Sequence, residues 1–218
     1  MSTLAIRLNQ NSMSNKKNKI LTQGIFDGHC LQYSVMNAFK ALNDPASTAH
    51  SFAIKSKIKW QKIISLTPSL QNFSSGWGSE FGINTLDVAN RVLENIFLSY
   101  FEALSEKTNF VYSAKRISIN QIKDTNFSNS VLIFCLKEKA KTEQYKSIDH
   151  WVCGIGVEEE SILLSCSFVL HETEDGYSET VSKYSGGRYY NNSINISEIL
   201  KNRIYTNQVY CVEGIKAK

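Results

Sequence analysis

The order of patterns along the chain predicts an α+β domain, helices in the first half and an antiparallel sheet in the second. Two observations carry this expectation. Up to Ser105 the apolar residues recur at helical spacing; beyond it they fall in short runs bounded by polar turns. The 218 residues, 42% hydrophobic and 20% charged, can bury a substantial core. The expected division is a loosely ordered segment over 1–19 and a single domain over 20–218, helical to about 105 and sheet from about 106.

Leu4 to Leu8 reads as a short edge strand, followed by a polar run rich in Asn, Ser and Lys. Ile20 and Leu21 lead into the turn Gln23-Gly24-Ile25-Phe26-Asp27-Gly28-His29. From Cys30 the stripe Leu31, Val35, Ala38, Phe39 and Leu42 predicts a helix of about three turns. Asn43-Asp44-Pro45 stops it, because proline disfavours helix in the residue before it. Ser51 to Ile64 predicts a second helix. The segment from Thr67 through Gly76-Trp77-Gly78-Ser79-Glu80-Phe81-Gly82 reads as a packed loop rather than a phosphate loop, since no Lys-Ser/Thr follows its glycines. Asn84 is expected to cap a long helix, with Asp87 in its first turn and a stripe running from Leu86 to Leu104.

Strands are expected at Phe110–Tyr112, Val131–Leu136, Trp151–Val157, Ile162–Leu170, Arg188–Tyr190 and Gln208–Ile215, with a helical turn over Ile196–Lys201. The run Val131–Leu136 is the stronger of these strands and apolar throughout.

Composition narrows the function classes. The 24 basic and 20 acidic residues leave a scattered net charge of +4, so nucleic acid is not an expected partner. No apolar run approaches the ~20 residues that span a bilayer, and no secretory h-region opens the chain. Five cysteines (Cys30, Cys135, Cys153, Cys166, Cys211) show no CxxC spacing, which argues against a disulfide framework and against a zinc site. A cytoplasmic protein without membrane association, metal or cofactor is expected, and Cys135, Cys153 and Cys166 are expected in the core.

The chemistry centres on Cys30. A helix N-terminus presents unpaired N–H groups and about half a positive charge, which favours the nucleophilic thiolate. Such a thiol needs a base, and histidine titrates nearest neutrality. Of the four histidines, His29 adjoins Cys30 but points away from it in a helix start, and His50 and His171 lack a supporting pattern. His150 opens a strand in Asp149-His150-Trp151-Val152-Cys153, so its ring can project from a sheet edge into a cleft, across which it would face the cysteine.

Gln23 with Cys30 at a helix start, then His150-Trp151 opening a strand, resembles the papain-like cysteine peptidases, and most of all the bacterial C39-like branch. The separation of 120 positions is slightly shorter than the ~130–150 typical of papain-type enzymes. The resemblance covers roughly Gln23–Leu42 and Asp149–Phe168. It implies a helical lobe carrying the cysteine packed against a sheet lobe carrying the histidine. It also implies Cys30 as nucleophile, His150 as general base and acid, and Gln23 with the Cys30 N–H as oxyanion donors. Six residues separate Gln23 from Cys30, one more than that family usually has.

The Asn or Asp expected to orient the histidine is missing. A two-residue turn at Glu158-Glu159 sets His150 opposite Ser167, a shifted turn sets it opposite 168 or 169, and the resemblance favours Cys166 or Ser167. Ser167 is therefore the expected third member, with Asp149, Glu172 and Asp175 as substitutes from elsewhere. The implied activity is a thioester-forming hydrolase of a peptide or protein substrate. A deamidase or acyltransferase on the same site, or a silent module that binds a peptide or protein, are the alternatives.

Overall fold

A computed structural model describes residues 19–22, 29–68, 86–143, 150–167, 172–173, 176–177, 182–201 and 203–216. The expected Leu4–Leu8 strand, the Gln23 turn, the Trp77 loop, the Asn84 cap, Asp149, His171 and Asp175 lie outside these residues. The fold is α+β, with helices packed against an antiparallel sheet.

The first helix, α1, spans Cys30–Asn43. Its first-turn bond runs from the Tyr33 N–H to the His29 carbonyl at 2.9 Å, which puts Cys30 at the first helical position. Sequence periodicity suggested a stripe, but burial goes further. Leu31, Gln32, Ser34, Val35, Met36, Asn37, Ala38, Phe39 and Lys40 are all buried, so α1 is a central helix enclosed on most sides. Asn37 makes two 2.9 Å bonds, accepting from the Leu21 N–H and donating to the Leu21 carbonyl, and so pins the incoming chain beside the helix. At the other end Lys40 Nζ donates to the carbonyls of Asp44 and Pro45.

The expected helix over 51–64 is two: α2, Ala49–Lys55, and α3, Lys57–Leu66, with Ser56 between them. Thr48 caps α2 by accepting from the Ser51 N–H. The long helix α4, Leu86–Ser105, lies where the apolar stripe placed it.

Six strands form the main sheet: β1 (Phe110–Arg116), β2 (Ser130–Leu136), β3 (His150–Glu158), β4 (Ser161–Ser165), β9 (Asn192–Asn195) and β10 (Ile204–Lys216). Their order is β1-β10-β2-β3-β4-β9, and every pairing is antiparallel. Two-residue strands β5 (Glu172–Thr173) with β6 (Gly176–Tyr177), and β7 (Ser182–Lys183) with β8 (Tyr189–Tyr190), form separate ladders. A short helix, α5, spans Ile196–Leu200.

Strand alternation sorts the core into two layers. Val131, Ile133, Cys135, Trp151, Cys153, Ile155, Tyr210 and Val212 face α1 and α4, where they meet Leu31, Val35, Phe39, Phe97 and Phe101. Leu132, Phe134, Leu136, Val152, Ile162, Leu164, Cys166 and Val209 fill the opposite face with Ile194, Ile196 and Ile199. This explains the unbroken apolar run of β2: both its faces are covered. Phe97 stacks on Tyr210 with centroids 4.2 Å apart and reaches Trp151 at 5.8 Å, so α4 and the strand that opens with His150 share one aromatic cluster.

Two devices set the register of the strand bearing His150. The tight turn to β4 pairs Glu158 with Ser161, with Glu159 in the left-handed region at φ 51°. The register then slips by one residue between Gly154 and Gly156. Arg188, 5% exposed, reaches this irregularity. Its guanidinium donates to the carbonyls of Ile155, Ser130, Phe127, Ser128 and Ala41. One side chain thus ties α1, the approach to β2 and the bulge of β3 together. A Cβ on Gly156 would stand 2.2 Å from the Tyr184 ring, so only glycine fits there.

Candidate active site

Cys30 and the start of β3 meet. The backbone N–H groups of Trp151 and Leu31 lie near enough to the Cys30 sulfur to favour its thiolate. The thiol therefore sits one peptide link from His150, although the two residues are 120 positions apart in sequence. The helix start supplies one side of the contact and the strand start the other.

Burial dominates the electrostatics. Cys30 is 6% exposed and His150 is 2% exposed. Burial pushes the Cys30 thiol up to about 11, with the nearby Cys166 adding to the rise and the backbone N–H groups opposing it. Burial alone lowers the His150 imidazole to about 3. Both groups rest neutral, as thiol and imidazole, rather than as the ion pair that a helix dipole alone suggests. A half-unit of helix charge does not outweigh the loss of water around the sulfur.

Cys166 is a partner of the ring: His150 Nε2 lies 3.3 Å from Cys166 Sγ. No hydrogen bond joins the ring to Cys30 in this arrangement. Cys166 follows the end of β4 and is clamped by Asn191. The Cys166 N–H donates to Asn191 Oδ1 and Asn191 Nδ2 donates to the Cys166 carbonyl, each at 2.9 Å.

The β3–β4 register follows the shifted turn that the sequence left open: Glu158 pairs with Ser161, and the bulge between Gly154 and Gly156 takes back one residue, so that Cys153 pairs with Ser165. Ser167 is fully buried beside Cys166. Of the two positions the resemblance favoured, Cys166 is the one bonded to Nε2. Gln23 and the remaining carboxylate substitutes, Asp149 and Asp175, lie outside the described residues, as does the side chain of Glu172. Asn191 was not anticipated, and an Asn-Asn pair after two tyrosines carries no signal that would single it out.

None of the five cysteines forms a disulfide; Cys30, Cys135, Cys153 and Cys166 are buried and Cys211 is partly exposed. Burial raises Cys153 to about 12, as befits a core thiol. Among the described residues no cluster of His, Cys, Asp or Glu could hold a metal ion, and no helix is long and apolar enough to cross a membrane. A cavity of about 570 Å³ opens near the C-terminal end of α1, lined by Ala41, Leu42, Tyr184 and Arg188 among others, and neither Cys30 nor His150 borders it. No protein-family model matches the chain, and no curated protein matches its sequence.

Proposed function

We propose that the protein is a cysteine-dependent hydrolase with a papain-like arrangement, acting on an amide or ester bond through a thioester at Cys30. The observation that carries this reading is the Cys30 thiol at the first position of α1, near the backbone at the start of the strand that His150 opens. Because the resting pair is neutral, the imidazole takes the thiol proton as sulfur attacks the acyl carbon. The imidazolium then protonates the leaving group, and water releases the acyl group with the ring again acting as base. The Cys30 N–H at the open end of α1 supports the developing oxyanion, and Gln23 is the proposed second donor. Peptidase, deamidase and acyltransferase chemistry differ here only in the acyl donor and acceptor.

p-Nitrophenyl acetate tests the reading without knowledge of the natural substrate. The native protein gives a burst of nitrophenolate, Cys30→Ala abolishes it and His150→Ala slows it. A burst of native size in Cys30→Ala overturns the proposal.

A catalytically silent module that binds a peptide or protein is the second reading. The near-complete burial of both groups and the neutral sulfur where an anion would serve favour it. It predicts no burst from the native protein.

A further inference from the structure

We infer that the cavity beside Arg188 binds a small organic carboxylate, held by a guanidinium N–H that has no acceptor among the described residues. The site stands apart from Cys30 and His150, neither of which borders the cavity.

Arg188 is a buried cation without a counter-anion among the described residues. It is 5% exposed, and no carboxylate is among the groups that act on its charge. Burial holds the guanidinium below its ordinary value. Carbonyl dipoles stand where an anion would, and they do not use every donor. A guanidinium has one hydrogen on Nε and two on each terminal nitrogen. The Nε hydrogen goes to the Ala41 carbonyl at 3.3 Å, and the pair on Nη1 is shared among the carbonyls of Ser130, Ile155 and Phe127. Nη2 meets a single carbonyl, that of Ser128 at 3.3 Å, so one of its hydrogens is left over. The surrounding carbonyls hold the planar group still, and a ligand that takes this last N–H finds it already oriented.

The cavity, about 570 Å³, is of the size that takes a small organic molecule. Among the described residues that line it, Arg188 is the only charged one. A single buried positive charge calls for a monoanion. A phosphate dianion would bring a second charge that nothing in the described lining offsets, so a carboxylate is the better match. Leu42, Pro45, Phe127 and Val157 offer apolar surface to the body of such a ligand. Asn126 adds a neutral donor. Its Oδ1 accepts from the Ser128 N–H at 3.1 Å and from the Ser128 hydroxyl at 2.7 Å, which leaves Nδ2 without an acceptor among the described residues. The rim is uncrowded at Gly186, where nothing lies within 4 Å of the place a Cβ would take.

Amide and guanidinium NMR titrations at pH 7 with benzoate, benzamide and phenyl phosphate test the site. Benzoate supplies a carboxylate on an apolar ring, and benzamide keeps the shape without the charge. Benzoate is expected to shift the Gly186 amide and the Arg188 Nε–H signals, with benzamide at least about tenfold weaker and phenyl phosphate no tighter than benzoate. Arg188 also holds the fold together, so the test variant leaves it in place. Ser185→Trp, an exposed lining position away from the guanidinium's partners, obstructs the cavity and weakens benzoate about tenfold or more. No shift of these signals with benzoate up to about 10 mM overturns the inference. Equal binding of benzoate and benzamide also overturns it, since the cavity then recognises shape without charge. Native benzoate affinity in Ser185→Trp does so by putting the ligand elsewhere, and tighter binding of phenyl phosphate than of benzoate does so by making phosphate the preferred group.

Discussion

The neutral resting pair has a measurable signature in the alkylation of Cys30. With the thiol at about 11, four units above pH 7, the thiolate is roughly one part in ten thousand of the resting protein. A thiol at its ordinary value of 9.0 would be ionised about a hundred times more often at the same pH. Iodoacetamide reacts with the thiolate, so the rate at Cys30 should climb about tenfold for each pH unit from 7 to 10. It should show no plateau at lower pH. A Cys211→Ser background removes the partly exposed thiol, and peptide mass mapping reads Cys30 separately from the buried cysteines. His150→Gln should leave this profile almost unchanged, because the ring carries no charge near neutrality to stabilise a thiolate. A rate plateau between pH 5 and 8 that disappears in His150→Gln would refute the reasoning, since it would reveal a preformed thiolate–imidazolium pair.

Three further outcomes follow from the same structure. His150 is neutral in both states above pH 6.5, and its contribution to stability is complete there. Between pH 6.5 and about 3 the unfolded chain takes a proton that the fold refuses, so stability falls by about 1.4 kcal/mol per pH unit. Urea unfolding at pH 6.5 and 4.5 should show that slope in the native protein, and His150→Gln should flatten it; equal slopes contradict the buried neutral ring. Arg188→Met strips donors from five carbonyls and should cost about 3–5 kcal/mol by chemical denaturation, with a loss under 1 kcal/mol showing that the carbonyls find other donors. Gly156→Ala drives a methyl into the Tyr184 ring and should cost about 1–3 kcal/mol, partly recovered in the double variant with Tyr184→Ala; strict additivity of the two would deny the contact.

Much of the fold was legible because it depends on periodicity. The α1 stripe, the start at Cys30, the stop before Pro45 and the strand over Val131–Leu136 all follow from apolar spacing and proline geometry. What escaped depends on single-residue backbone choices and on partners without a side-chain signature. One left-handed glutamate and one bulge chose among the β3–β4 registers that the sequence left open. The polar strand β9, Asn192–Asn195, has no apolar run to announce it and is held by pairing with β4. The web around Arg188 consists of backbone carbonyls, which every sequence has. The neutral state of Cys30 and His150 follows from burial on all sides, whereas the helix dipole, readable from sequence, pointed the other way.

The central claim is that Cys30 forms the covalent intermediate. Protein quenched in acid during the p-nitrophenyl acetate burst and mapped by peptide mass tests it most directly. The account predicts a single acetyl group on the peptide containing Cys30, absent in Cys30→Ala and slow to form in His150→Ala. An acetyl group on Cys166 or Cys211, with Cys30 unmodified, would contradict it.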